Sequence, residues 1–219
     1  MGKSVILLGA SGLTGSHVLQ YVLIYNSYDE VILFNRSALG VNHPKIKEYV
    51  IDLLDLKSQE QHFKADIVIC CIGTTKAKTP DKTLYKQIDY GIPVAAAELC
   101  VLNNISKFLV ISSLGADENS KVFYSKTKGE MEAKVLSLGI TSTNVLQPSL
   151  ISGQRNEKRA GEFAAKLFMK VINPLLFGRL KKYKSIHPDT IAKALIYLAN
   201  HEYETGIIPS DKIEELATL

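Results

Sequence analysis

The chain is 219 residues long and 46% hydrophobic, enough apolar material for one substantial core and too little for two comfortable domains. Its formal charge of +4 at pH 7 is dispersed, with Lys and Arg interleaved among 22 acidic residues, so a nucleic-acid partner is not indicated. No stretch reaches the roughly eighteen apolar residues of a membrane span, and the amino terminus lacks the long apolar region of a secretory leader, so a soluble protein with no integral membrane span is expected.

The first strand is expected over 4–8, "SVILL", followed by a helical pattern over 14–25. Further short apolar runs, "VILF" at 31–34, "YVI" at 49–51, "DIVIC" at 66–70, "FLVIS" at 108–112 and "TNVL" at 143–146, suit strands covered on both faces. Helical patterns over 83–103 and 124–138 lie between them. Strand and helix alternate, which predicts an α/β fold with a doubly wound parallel sheet in a single domain, 1–219. Beyond residue 150 the rhythm changes to a polar loop, "SGQRNEKRAG", and an amphipathic "EFAAKLFMKVI", so residues 150–190 are expected to cap the carboxyl ends of the strands. A last helix over 189–200 places Ile191, Ala194, Leu195, Leu198 and Ala199 on one buried stripe.

Between the first strand and the first helix, "LLGASGLTGSHV" spaces Gly9, Gly12 and Gly15 three apart. At that place unpaired amides and the helix dipole form a seat for a pyrophosphate, so Gly9, Ser11, Gly12, Leu13, Thr14 and Gly15 are candidate dinucleotide contacts. The second strand ends in "FNRSA", where an NAD-binding fold often carries an acid for the ribose 2′-hydroxyl. Arg36, with Asn35 and Ser37 beside it, would instead grip a 2′-phosphate, which favours NADP(H). Asp52 and Leu53 would meet the adenine, and Cys71, Ile72, Gly73 and Thr74 would flank the cofactor at the end of the fourth strand. Cys70, Cys71 and Cys100 have neither bridge geometry nor zinc spacing, so free thiols, no metal and a cytoplasmic location are expected.

The stretch "VISSLGADENSKVFYSKTKGEMEAKV" sets Tyr124 and Lys128 four apart on one helical face. An ammonium beside a phenol lowers its pKa toward the range of general acid–base work, and Ser113 at the preceding strand end would hold a substrate oxygen as charge develops. Ser113, Tyr124 and Lys128 are the candidate catalytic residues.

Together the glycine loop, Ser113 and the Tyr-x-x-x-Lys pair resemble the short-chain dehydrogenase/reductase superfamily over most of the chain. With "CCIGTT", "SSLGAD" and "KGEMEAKV", the sequence is most similar to the atypical branch of Tat-interacting-protein-like oxidoreductases. The resemblance implies a Rossmann sheet, NADP(H), and a second role for Lys128 at the nicotinamide ribose. It also implies a turn after the sixth strand bordering the nicotinamide at Pro148, although Gln147 and Ser149 stand where the family has Arg and Gly. The function this predicts is an enzyme, an NADP-dependent oxidoreductase acting on a small carbonyl or alcohol. Alternatives are a dinucleotide-binding sensor with little turnover and a nucleotide-sugar epimerase. Arg155, Arg159 and His187 are polar residues that would either meet substrate or serve as solvated loop and helix-cap groups.

Overall fold

The computed structural model describes residues 2–152 and 183–219. Seven strands form one all-parallel sheet: β1 (Lys3–Leu8), β2 (Tyr28–Asn35), β3 (Ile46–Val50), β4 (Ile67–Cys70), β5 (Lys107–Ile111), β6 (Ser142–Gln147) and β7 (Gly206–Pro209), in the spatial order β3-β2-β1-β4-β5-β6-β7. This is a Rossmann-type sheet, whose order reverses between β1 and β4 and so opens a crevice at their carboxyl ends.

Period-two alternation sends each strand's side chains to opposite layers. Val5, Leu7, Val31, Leu33, Ile67, Ile69, Leu109 and Ile111 pack on one face. That face is covered by α1 (Gly15–Ile24), α5 (Pro188–Asn200) and α6 (Ser210–Leu216). Ile6, Leu8, Ile32, Phe34, Val68, Cys70, Phe108 and Val110 face the other way. A 3₁₀ segment (Leu53–Gln59), α3 (Ile92–Leu102) and α4 (Phe123–Ser137) cover them. Each fully buried aliphatic side chain contributes about 1.5–3 kcal/mol, so both layers stabilise the sheet substantially.

The stripe expected on the last long helix is observed, with Ile191, Ala194, Leu195, Leu198 and Ala199 all buried. The helix expected over 83–103 is an α-helix, α2 (Lys82–Lys86), that widens into a π-turn at Gln87–Gly91 before α3. β7, followed by α6, extends the sheet beyond the expected strands; Gly206–Pro209 is only four residues long and carries no strong strand signal. The loop and amphipathic segment expected to cap the sheet, with Arg155 and Arg159, lie outside the described residues. His187 serves as the N-cap of α5, its Nδ1 accepting from the Asp189 amide at 3.3 Å, which is the helix-cap role.

Candidate functional site

The glycine loop is shaped by close backbone approach. Gly9 has φ of +83°, a left-handed conformation that glycine adopts without strain, and a Cβ there would lie 2.9 Å from the Cys71 carbonyl oxygen. The Gly12 amide donates to the Gly9 oxygen at 2.9 Å, closing the turn, and a Cβ on Gly15 would collide with that same oxygen. The loop is thus locked between the ends of β1 and β4, and it delivers the first turn of α1 to the crevice.

A groove of about 610 Å³ runs along this rim. Gly9, Ser11 and Gly12 line it from the first loop, Asn35, Arg36 and Ser37 from the end of β2, Asp52 and Leu53 after β3, and Cys71 to Thr74 after β4. Leu13, Thr14, Gly15, Lys128 and Pro148 lie outside this lining. Arg36 and Ser37 are exposed at its edge, whereas Asn35 is buried and donates through Nδ2 to Glu48 Oε1 at 2.7 Å. Asp52 accepts from the Leu54 amide at 2.9 Å and caps the 3₁₀ segment. Sequence reasoning missed Lys78, Thr79, Leu84, Ile88 and Ile92, which also line the groove; they come from a loop and helix whose approach to the strand ends is a tertiary outcome.

Beside the groove, α4 places Tyr124 and Lys128 one turn apart. Tyr124 is 40% exposed and Lys128 only 4%, so the phenol is open to an incoming molecule while the ammonium is enclosed. Lys128 Nζ lies 3.0 Å from Asp89 Oδ1, a fully buried partner that the sequence reading did not identify. Burial presses the Lys128 pKa down, but the Asp89 carboxylate and then Tyr124 outweigh it, and the net shift is upward. The ammonium therefore stays charged through neutral pH. Asp89 Oδ2 accepts from the Thr74 amide at 2.7 Å, tying the ion pair to the loop after β4. A Cβ on Gly73 would lie 3.5 Å from Asp89 Oδ1 and 3.7 Å from Lys128 Nζ, so the pair sits directly under the groove at Gly73. Asp89 belongs to the π-turn, a device often found at functional sites.

The two serines that end β5 are in different states. Ser112 donates to Glu132 Oε1, and Gln147 Nε2 donates to both oxygens of the same carboxylate at 3.0 and 2.9 Å. Ser113 Oγ is buried and has no hydrogen-bond partner among the described residues. The Ser112 hydroxyl is thus committed to Glu132, whereas the Ser113 hydroxyl keeps its hydrogen-bonding capacity. The loop from Ser113 to Tyr124 is clamped on α4: the Asp117 amide donates to the Ser125 oxygen at 3.0 Å, and a Cβ on Gly129 would strike the backbone at Asp117 and Glu118.

The residues that depart from the family turn are also accounted for. Gln147 holds Glu132, while the Ser149 hydroxyl donates to the Lys184 oxygen and its amide to Ser210 Oγ at 3.1 Å. Pro148 is buried, and its oxygen accepts from the Leu114 amide at 2.9 Å. Cys70 and Cys100 are buried, and burial drives the Cys70 thiol up to about 11 and the Cys71 thiol well above its ordinary value. Cys70 and Cys100 are packing groups, and Cys71 meets the groove as a neutral thiol.

A second cavity, about 600 Å³, adjoins the groove and shares Thr74 and Thr79 with it. Pro80, Tyr85, Val122, Phe123 and Tyr124 wall it, with Lys76, Lys82 and Lys121 also on its lining.

Residues 9–164 match the family model described as NAD(P)H-binding. Protein HTATIP2 of Rattus norvegicus is 34% identical over 170 residues, covering 76% of this chain and 70% of its own length. Protein fmp52, mitochondrial, of Aspergillus niger is 31% identical over 202 residues, covering 88% and 85%. Among solved structures, the Bordetella bronchiseptica enzyme WbmH in complex with NAD+ superposes with a TM-score of 0.73 at 16% identity, over 100% of this chain and 80% of that one, a likeness of fold. The expected cytoplasmic location is overturned by the fungal relatives, which are named mitochondrial. Three cysteines without a bridge do not single out the cytosol.

Proposed function

Since the chain belongs to the NAD(P)H-binding family, in the atypical short-chain dehydrogenase/reductase branch of Tat-interacting-protein-like oxidoreductases, we propose that it is an NADP(H)-dependent oxidoreductase acting on a small carbonyl or alcohol. The observation that carries this reading is the unpartnered Ser113 hydroxyl at the end of β5, close in the chain to a helix that presents exposed Tyr124 and buried Lys128 beside the groove. The cleft fits a dinucleotide: its glycine turn admits backbone but no side chain, and Arg36 stands on its rim without an ion pair among the described residues. The mitochondrial naming of the fungal relatives supplies the location we propose.

A bound dinucleotide would supply hydride to a carbonyl or accept it from an alcohol. Ser113 then donates to the substrate oxygen, where negative charge develops. Tyr124 gives its phenolic proton to that oxygen, and Lys128, anchored by Asp89, supports the phenolate that remains. Arg36 and Ser37 hold a 2′-phosphate, and Gly9, Ser11, Gly12, Leu13, Thr14 and Gly15 form the diphosphate turn by lining it or by shaping it. Asn35, Asp52, Leu53, Cys71, Ile72, Gly73 and Thr74 border the remaining length, and Pro148 shapes the turn beside the reacting end.

Tyr124→Phe tests this. Turnover of any carbonyl substrate falls by about 10²-fold or more, the usual contribution of a positioned proton donor, while the NADPH dissociation constant stays within about twofold. Retained turnover removes the mechanism. One observation favours a sensor without turnover: the Lys128 charge is already matched by a buried carboxylate. Tight NADPH binding with no reduction of any aldehyde, ketone or quinone would support that second reading. The likeness to solved UDP-glucose 4-epimerases is one of fold and carries no activity.

A further inference from the structure

We infer that the second cavity is the substrate pocket of this site, and that it takes a flat, aromatic carbonyl compound bearing an anionic group, such as a carboxylate, at the end remote from the carbonyl. The assignment rests on the oxidoreductase reading and names the substrate class for it. The cavity's volume of about 600 Å³ suits a small ligand, and Tyr124, the proposed proton donor, is part of its wall. Its neighbours Phe123 and Tyr85 meet edge to face, 5.5 Å apart at 67°, and Tyr85 meets Tyr124 at 6.4 Å and 75°. With Pro80 and Val122, these rings form rigid apolar walls suited to a planar ring. Thr74 and Thr79, whose hydroxyls are 2.8 Å apart, are common to this cavity and the dinucleotide groove, so a carbonyl at that end lies where the two spaces meet.

Charge selects the second substituent. Lys76, Lys82 and Lys121 line the cavity, and no carboxylate does so among the described residues. Lys82 Nζ stands 5.5 Å from the Phe123 ring centroid, and Lys76 and Lys121 are exposed and make no ion pair among the described residues. An apolar cavity lined by three lysines and a proton donor discriminates against neutral and aliphatic carbonyls. In reduction the carbonyl carbon gains a hydride from NADPH, which leaves as NADP+. The C=O π pair moves to oxygen, which takes the Tyr124 proton, and solvent restores that proton.

The experiment compares NADPH oxidation by the full chain with 4-carboxybenzaldehyde, its neutral methyl ester and hexanal, alongside calorimetric binding of 4-carboxybenzaldehyde in the presence of NADP+. The expected kcat/KM for the carboxylate exceeds that for the ester by about tenfold, and Lys121→Gln or Lys76→Gln lowers this ratio by about two- to fivefold, the range of one exposed ion pair. Lys212→Gln, on α6, leaves the ratio unchanged. Phe123→Ala raises KM for both aromatic aldehydes more than for hexanal. If carbonyls are reduced but the ratio is near one and indifferent to both lysines, the pocket assignment falls and the oxidoreductase reading stands. If nothing is reduced yet 4-carboxybenzaldehyde binds and Lys121→Gln weakens it, the pocket stands and the oxidoreductase reading falls. No saturable binding and no reduction overturns the pocket.

Discussion

At the scale of single residues, the proposed preference for NADP(H) turns on Arg36. It stands at the end of β2 on the rim of the groove, where a guanidinium can form bidentate charge-assisted bonds to a phosphate and only a weaker single bond to a ribose hydroxyl. Charge-assisted hydrogen bonds are worth about 1.5–3 kcal/mol, so Arg36→Ala weakens NADPH binding by about 10- to 150-fold. NADH, which lacks the 2′-phosphate, changes by less than about threefold because no such bond is lost. Titration of both nucleotides against wild type and variant checks this; equal weakening of the two assigns Arg36 to the fold instead. Asp89 is the counterexample of a residue whose part could not be read in advance. Its neighbours in "QIDYGIP" look like an ordinary helical surface, and only the widened π-turn brings its carboxylate to Lys128.

At the scale of elements, Glu132 joins three of them: it rises from α4, accepts from Ser112 at the end of β5 and from Gln147 at the end of β6. Burial lifts its carboxyl above the ordinary value, and the bonds from Ser112 and Gln147, with the Lys128 charge, oppose the shift without cancelling it. A carboxyl that holds its proton more tightly in the fold costs nothing below the unfolded value near 4.5, and its cost grows as pH rises through the raised folded value. Glu132→Gln keeps an acceptor for Ser112 and removes that cost, since the amide of Gln147 can turn to match it. The Tm of the variant minus that of wild type therefore rises between pH 4.5 and pH 7, by roughly 2–4 °C per kcal/mol relieved. Thermal melts across that range measure it, and a difference independent of pH contradicts the account. Glu132 shows where sequence reading stops. Six strands were legible because continuous apolar runs and intervening helical periods are local signals, and the glycine turn was legible because its spacing is. Side chains that meet across elements, such as Glu132 with Gln147 or Ser149 with Lys184, leave no local pattern, and α4 has too mixed a surface to announce which polar group turns inward.

At the scale of the whole molecule, the order β3-β2-β1-β4-β5-β6-β7 sorts the site along the chain. The groove residues from Gly9 to Leu54 precede β4, and Ser113, Tyr124 and Lys128 all follow it. The boundary falls in the connection between Phe63 and Ile67, where the chain passes from one flank of the sheet to its middle. If the proposed roles hold, nucleotide preference and reactivity reside in separable lengths of chain. On the proposed reading, a gene recombined at that joint, taking its leading third from a relative with an acidic residue in place of Arg36, would yield a hybrid that binds NADH in preference to NADPH and keeps the parent's Ser113, Tyr124 and Lys128.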